Sequence, residues 1–519
     1  MNNNHDPEPW SLAHINGRLA FATTTILRAT ETALHLPELL LLIFSHLKRG
    51  ELLPALEVCK CWSVVGTNVL WSSHRVPFSA IMERLGTLAL ATTVIRDGFI
   101  ELDRSLELIE PQRWQDFLHS YPHKVTRLRF DVALDDDATT LLQYLVLTHK
   151  EALFPRLKSV VVPLQPRRLT LTSASIALGP TVTNVQIYGR PCGVEAVETN
   201  WAAQIIANAV PQIQNLAFGA MVGITTVDCS IFSHLRVVYI QECTVDLYQS
   251  LSRCLLLETI RVELVTQIHI PEQRLIETVT FPALRELFVG NSLGLLLLES
   301  LLIQSIMPAL RILTINPQNK ISDRPNGEIQ ELLRKRSPLL EMFEVSCSYA
   351  WLDMVLAYCP LEKLRAFKLR LYGNDPHLDG NQVELFAKNT QGLQSLSIEI
   401  ADDVISWSWI DITGLTLVSL ARYCPNLMEL ELPMNLYLSP LLLEFPLATH
   451  NHRRLTQLRL SSPAIQFCRH EIRAVARFLA SRCPSVKYLE VPNQKEKVRR
   501  LLVDEFYKCL LRLKDDSGH

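Results

Sequence analysis

The sequence predicts an α/β chain in which a small three-helix module is followed by a long solenoid, a horseshoe with parallel strands on its concave face and helices on its convex face. Three observations predict it. At 519 residues the chain exceeds the roughly 100–200 residues of one ordinary domain but suits one repeat array plus a small module. An apolar pattern of the form L-x-x-L-x-L recurs along most of its length. Between the copies lie stretches with helical spacing of apolar residues, so strand and helix alternate.

Residues 1–34 are expected to be a flexible N-terminal segment. Met1 to Pro9 is Asn-rich and lacks the basic region and apolar run of an export signal. Residues 35–76 are expected to form the three-helix module. In Leu36-Pro37-Glu38-Leu39-Leu40-Leu41-Leu42-Ile43-Phe44-Ser45-His46-Leu47, Pro37 occupies a first helical turn, where its missing N–H costs nothing. A second short helix fits Glu51 to Glu57, and a third opens at Val58-Cys59-Lys60-Cys61-Trp62 and continues to Leu70-Trp71. A unit of about 40 residues buries too little surface to be stable alone. Some of its large apolar side chains are therefore expected to meet a partner. Residues 77–124 read as a helical connector or as degenerate repeats.

Residues 125–493 are expected to hold about fourteen repeats. Clear copies start at Leu284, Leu310, Leu393, Leu427 and Leu455, and weaker ones at Val125, Leu157, Val182, Ile213, Leu235, Leu257, Leu340, Leu364 and Val486. Their mean spacing is about 28 residues, within the period of leucine-rich repeats. Helix-period stretches include Asn200 to Ala209, Ile329 to Arg336, Gln382 to Lys388, Leu415 to Tyr423 and Glu471 to Ser481. One such unit cannot cover its own apolar strand face, so neighbours stack and cover it. Cys359-Pro360, Cys424-Pro425 and Cys483-Pro484 mark helix ends, because proline cannot continue a helix. Residues 494–519 read as a capping helix and tail, with apolar periodicity through Val498, Leu501, Leu502, Phe506 and Leu510.

The segment Leu36 to Ser73 resembles the F-box motif: Leu36-Pro37, then Ile43-Phe44, then Leu47, then Val58-Cys59-x-x-Trp62, then Leu70-Trp71, all in order. It departs at Cys61, where many members carry a basic residue, and in the link Lys48-Arg49-Gly50-Glu51. The later chain resembles the cysteine-containing leucine-rich repeats common in F-box proteins. Tyr423-Cys424-Pro425-Asn426-Leu427-Met428-Glu429-Leu430-Glu431-Leu432 is its best match, whereas the family's Asn or Cys after the strand is present only as Cys243 and Asn435.

The resemblance implies a substrate-recognition adaptor. In that family the F-box docks on the Skp-type linker subunit of a cullin-based ubiquitin ligase and the repeats hold a target protein. Such a chain forms no covalent bond; it acts by tethering, which makes an encounter nearly intramolecular. Carried over by position, the linker-binding residues are Leu36, Pro37, Leu40, Ile43, Phe44, Leu47, Val58, Cys59 and Trp62. Trp62 and Val58 equally suit the core of the module. Substrate contacts are expected where strand side chains alternate away from the buried leucines: Tyr239, Arg261, Phe288, Lys368, Arg370, Glu429, Glu431, Arg459 and Tyr488. Ordinary solvated positions are the competing reading. Two alternatives stay open: a linker-bound scaffold outside any ligase, and a ligand sensor, for which the basic residues among these nine are too dispersed to establish a pocket.

Two insertions interrupt the rhythm: Gly373-Asn374-Asp375-Pro376-His377, a turn cluster, and Ala401 to Thr413 with Trp407 and Trp409. The second is either a binding loop or a packed extra strand. Composition limits the other classes. Fifty-one Lys+Arg against 53 Asp+Glu give no global field for a polyanion, so no nucleic-acid partner is expected. No apolar run reaches the ~20 residues that span a bilayer, so no membrane role is expected. Twelve scattered cysteines suit a reducing compartment, cytoplasmic or nuclear. No Walker loop, H-E-x-x-H, G-x-G-x-x-G or G-x-S-x-G motif occurs. His450-Asn451-His452-Arg453-Arg454 reads as a solvated loop and Asp135-Asp136-Asp137 as an acidic turn before a helix. Neither catalysis, metal nor cofactor is expected.

Overall fold

The computed structural model describes residues 36–89, 93–96, 99–102, 110–131, 133–134, 136–149, 153–164, 178–189, 204–219, 228–243, 245–264, 278–290, 305–316, 333, 335–348, 363–372, 378–400, 410–434, 451–461, 469–492 and 496–517. The expected flexible segment, the turn at 373–377, both insertion tryptophans, Cys359-Pro360, Asn435 and His450 lie outside them. The chain divides into two compact units, Met1–Tyr188 with Asn208–Gln212, and Gly189–Ala207 with Ile213–His519.

The first unit opens with three helices, α1 (Pro37–Ser45), α2 (Arg49–Ala55) and α3 (Lys60–Ser73). Pro37 stands at the first turn of α1, as its missing donor allows. The N–H of Lys48 donates to Glu51 Oε2 at 2.9 Å, closing the start of α2. Gly66 on α3 faces Leu56 and Phe44 so closely that a side chain there would displace them. The parallel ladder of this unit starts before the first sequence repeat, at Val76–Pro77, which pairs with Arg127–Arg129. Ser159–Leu164 pairs with Arg127–Arg129 in turn. Between them lie helices Phe78–Ala89 and Pro111–Ser120 and an antiparallel hairpin, Thr93–Arg96 with Phe99–Leu102.

Every one of the fourteen predicted repeat starts is followed two residues later by a strand, from Arg127–Arg129 after Val125 to Tyr488–Glu490 after Val486. Strands of the second unit pair in parallel with their sequence neighbours from Asn215–Phe218 onward. Most of their leucines, isoleucines and valines alternate inward; Leu284, Leu287 and Val289 are all buried. Helices Gly380–Asn389, Gly414–Tyr423 and Arg469–Arg482 return the chain between strands. The last helix, Glu496–Ser517, buries Leu502, Phe506 and Leu510.

A second buried position recurs three residues before the leading leucine, whose N–H donates back to its carbonyl. Phe154, Phe232, Cys254, Met307, Ser337, Thr390, Cys424 and Cys483 fill it. The cysteines thus plug the turns between helix and strand. Burial raises the thiols of Cys254, Cys424 and Cys483 to about 12, which keeps them protonated. His452 occupies the equivalent place before Leu455, which corrects the expectation of a solvated loop. It is buried, its Nε2 lies 2.9 Å from the Leu417 carbonyl, and its N–H donates to the Arg482 carbonyl. Desolvation lowers its pKa to about 4, so the ring is neutral and donates to Leu417.

Candidate functional site

Helix α1 is apolar on nearly every side, because Leu39 to Phe44 is an unbroken apolar run. Only one side can face the core. Leu40 and Phe44, four residues apart, point inward with Leu47 beside them and pack on Leu52, Val65 and Val69. Phe44 meets Trp62 of α3 edge to face, with ring centroids 5.3 Å apart. The remaining sides are left in solvent, with Leu41 and Leu42 on the far side and Leu36, Leu39 and Ile43 flanking the buried pair. Leu36, Leu39 and Ile43 are 46%, 41% and 45% exposed, and their spacing puts them on one helical face. Leu53 on α2, Val58 in the turn before α3, and Val64 on α3 are also exposed.

The nine residues nominated for linker binding therefore split three ways. Leu36, Pro37, Ile43 and Val58 present exposed surface; Leu47, Cys59 and Trp62 are half-buried; Leu40 and Phe44 are core. Cys59 caps α3, its carbonyl accepting the Ser63 N–H at 2.9 Å. The exposed residues not nominated are Leu39, Leu41, Leu42, Leu53 and Val64. Spacing alone could not separate the two sets: Leu36 and Ile43 stand four and three residues from Leu40, beside it on the helix surface, and it is the packing of α2 and α3 on Leu40 and Phe44 that leaves them exposed.

In the second unit, strand register gathers the other nominated set into rows. Tyr239, Arg261, Phe288, Thr314, Glu344, Lys368, Ser397, Glu431, Arg459 and Glu490 lie side by side in one row. Glu429 and Tyr488 share the row two residues earlier, with Gln457 between them. Arg370 pairs with Glu399 in the row two residues later. All nine point away from the buried leucines, at half-buried or exposed positions.

The charges in these rows are mutually arranged. Lys368 Nζ sits 3.1 Å from Glu399 and 3.9 Å from Glu344, and Arg370 is 3.9 Å from Glu399. Arg459 lies 3.0 Å from Glu431 and 3.6 Å from Glu490, while Ser397 donates to Glu431 at 2.7 Å. Ser395 donates to Glu429 at 3.1 Å. Partial burial and the neighbouring Glu263 raise the Tyr239 phenol to about 12, so it stays a donor at neutral pH. Among the described residues no group of His, Cys, Asp and Glu could hold a metal ion, and no helix is long and apolar enough to cross a membrane.

Comparison with known proteins agrees with the helical geometry: residues 35–76 match the F-box-like family. No curated protein matches the chain. Among solved structures, an internalin of Listeria monocytogenes is similar at 16% identity and TM-score 0.32, over 58% of this chain and 73% of that one. The yeast complex of Rad7 and Elc1 is similar at 14% identity and TM-score 0.30, over 95% of this chain and 96% of that one. Agreement this loose carries no functional argument. The family match, the exposed apolar face and the fourteen repeat-bearing strands together make this a chain with an F-box-like domain at residues 35–76 ahead of a long parallel sheet of leucine-rich-repeat type.

Proposed function

We propose that the chain is a substrate-recognition adaptor: its F-box-like domain binds a Skp-type linker subunit, and through it a cullin, while the repeat strands hold a target protein for ubiquitination. The observation that carries this reading is the apolar surface of Leu36, Leu39, Ile43, Leu53 and Val58, left exposed beside a core already filled by Leu40, Phe44, Leu52, Val65 and Val69. Completing the burial of a half-exposed Leu or Val recovers on the order of 1 kcal/mol. Five such side chains make the centre of an interface whose rim supplies the rest. The chain itself forms no bond; proximity between the target and a ubiquitin-charged enzyme does the chemistry.

The rows of the second unit support a protein target over an anionic small molecule. Each of Lys368, Arg370 and Arg459 is held against a carboxylate, so these cations do not converge on an open site. A linker-bound scaffold outside the ligase remains the second reading, since it uses the same apolar face. Affinity capture of the full chain separates the two: recovery of both the linker subunit and a cullin supports the adaptor, and the linker alone supports the scaffold. Leu36→Ala with Pro37→Ala should abolish linker capture while the repeat strands stay folded; undiminished capture would defeat the assignment.

A further inference from the structure

The exposed side of the second unit's sheet is not uniform from end to end. Ile312 and Met342 are lateral neighbours, Phe288 lies diagonally beside Ile312, and all three are apolar and half-buried. Farther along, the strands Glu429–Pro433, Gln457–Ser461 and Tyr488–Glu490 carry Glu429, Glu431 and Glu490 against one cation, Arg459. That arginine is held by Glu431 and Glu490. No cation among the described residues pairs with exposed Glu429, which accepts only a serine hydroxyl. Tyr488, in the same row as Glu429, is 69% exposed. An exposed tyrosine ring two strand steps, about 10 Å, from a spare carboxylate can receive a guanidinium or ammonium group between them.

We propose that this face binds an extended segment of a partner protein with an apolar side chain over Phe288, Ile312 and Met342 and one or two lysines or arginines beside Glu429, Glu490 and Tyr488. The proposal rests on the reading that the repeat strands hold the target, and it names the target's chemistry. Four strand steps separate Ile312 from Glu429, about 19 Å at ~4.8 Å per step, which an extended chain covers in about five or six residues. Charge fixes the sign of the partner. An acidic segment would meet unpaired Glu429 and would have to draw Lys368 and Arg459 away from carboxylates that already hold them.

The test uses the full-length chain and fluorescein-labelled peptides followed by anisotropy. The probe is Phe-Leu-Ser-Gly-Ser-Gly-Arg-Arg; one control replaces Arg-Arg by Glu-Glu and another moves Arg-Arg next to Leu. The Arg-Arg probe should bind, and its affinity should fall as salt rises. Glu429→Gln with Glu490→Gln should weaken it about tenfold, whereas Arg459→Gln should strengthen it about threefold by freeing Glu431 and Glu490. Thermal melts confirm that these exposed variants fold. Equal or tighter binding of the Glu-Glu peptide, no binding of the Arg-Arg probe, or indifference to the glutamate variants would overturn the proposal. Equal binding of the closely spaced control would overturn the two-site spacing. Capture of the linker subunit, measured on the same preparation, reports separately on the F-box-like domain.

Discussion

Phe44 and Trp62 meet edge to face across α1 and α3, ring centroids 5.3 Å apart, with Phe44 fully enclosed and Trp62 only half-buried. This contact ties the helix bearing Leu36, Leu39 and Ile43 to the rest of the module. It makes stability and docking separable within one short helix. Phe44→Ala should destabilise residues 36–73 by about 3–5 kcal/mol, as large aromatic truncations in cores do. Ile43→Ala, one residue away and exposed, should cost under about 1 kcal/mol of stability. Hydrogen exchange read helix by helix distinguishes them: α1 to α3 should lose protection in the first variant and keep it in the second.

Gly290 closes the strand Glu286–Gly290 against the backbone of Glu263 on the neighbouring strand. A Cβ at that position would stand 2.7 Å from the Glu263 carbonyl oxygen and 3.2 Å from its Cα. Backbone cannot rotate out of the way as a side-chain tip can. Gly290→Ala should therefore cost about 1–3 kcal/mol, the usual penalty for forced overpacking, despite alanine's lower unfolded-state entropy. A urea midpoint equal to or above the parent's would contradict this packing.

His452 predicts an acid sensitivity with a definite sign. An unfolded histidine binds its proton near pH 6.5, whereas burial holds His452 neutral down to about 4. Between those values the unfolded chain binds more protons than the folded one, so stability falls as pH drops through that window. The contribution amounts to roughly 3 kcal/mol when complete. His452→Cys, the residue that fills the same place at Cys424 and Cys483, should remove this component whatever it does to stability at pH 7. Urea unfolding of parent and variant at pH 7 and pH 5 measures it; parallel losses in both would show that His452 contributes nothing.

The repeats were legible because L-x-x-L-x-L sets period-2 burial directly, and each predicted start, including the weak Val182 and Leu340, precedes a strand by two residues. The Val76–Pro77 strand carries too few residues to show any period. The turn plugs had a readable signature that extends beyond Cys-Pro: Phe154-Pro155, Phe281-Pro282, Met307-Pro308 and Ser337-Pro338 stand three residues before Leu157, Leu284, Leu310 and Leu340. A different residue at a plug, such as His452, hides the pattern because burial depends on position and not on residue type. On α1, family position nominated Leu40 and Phe44 for docking although both are enclosed in this chain. In an all-apolar helix only the packing of α2 and α3 decides which side stays exposed. The nine strand positions were correctly placed outward by alternation, but their ion pairs depend on cross-strand register, which no single strand's sequence contains.

The proposed adaptor role requires the exposed apolar side of α1 to α3 to be a protein-docking face. Titration of a Skp-type linker subunit into the full-length chain tests it most directly, with parent, Leu36→Ala/Pro37→Ala and Ile43→Asp/Val58→Asp compared at equal thermal stability. Saturable binding by the parent and a loss of at least about a hundredfold in each variant are expected. Absence of binding by the parent, or variants that bind as well as the parent while remaining folded, would contradict it.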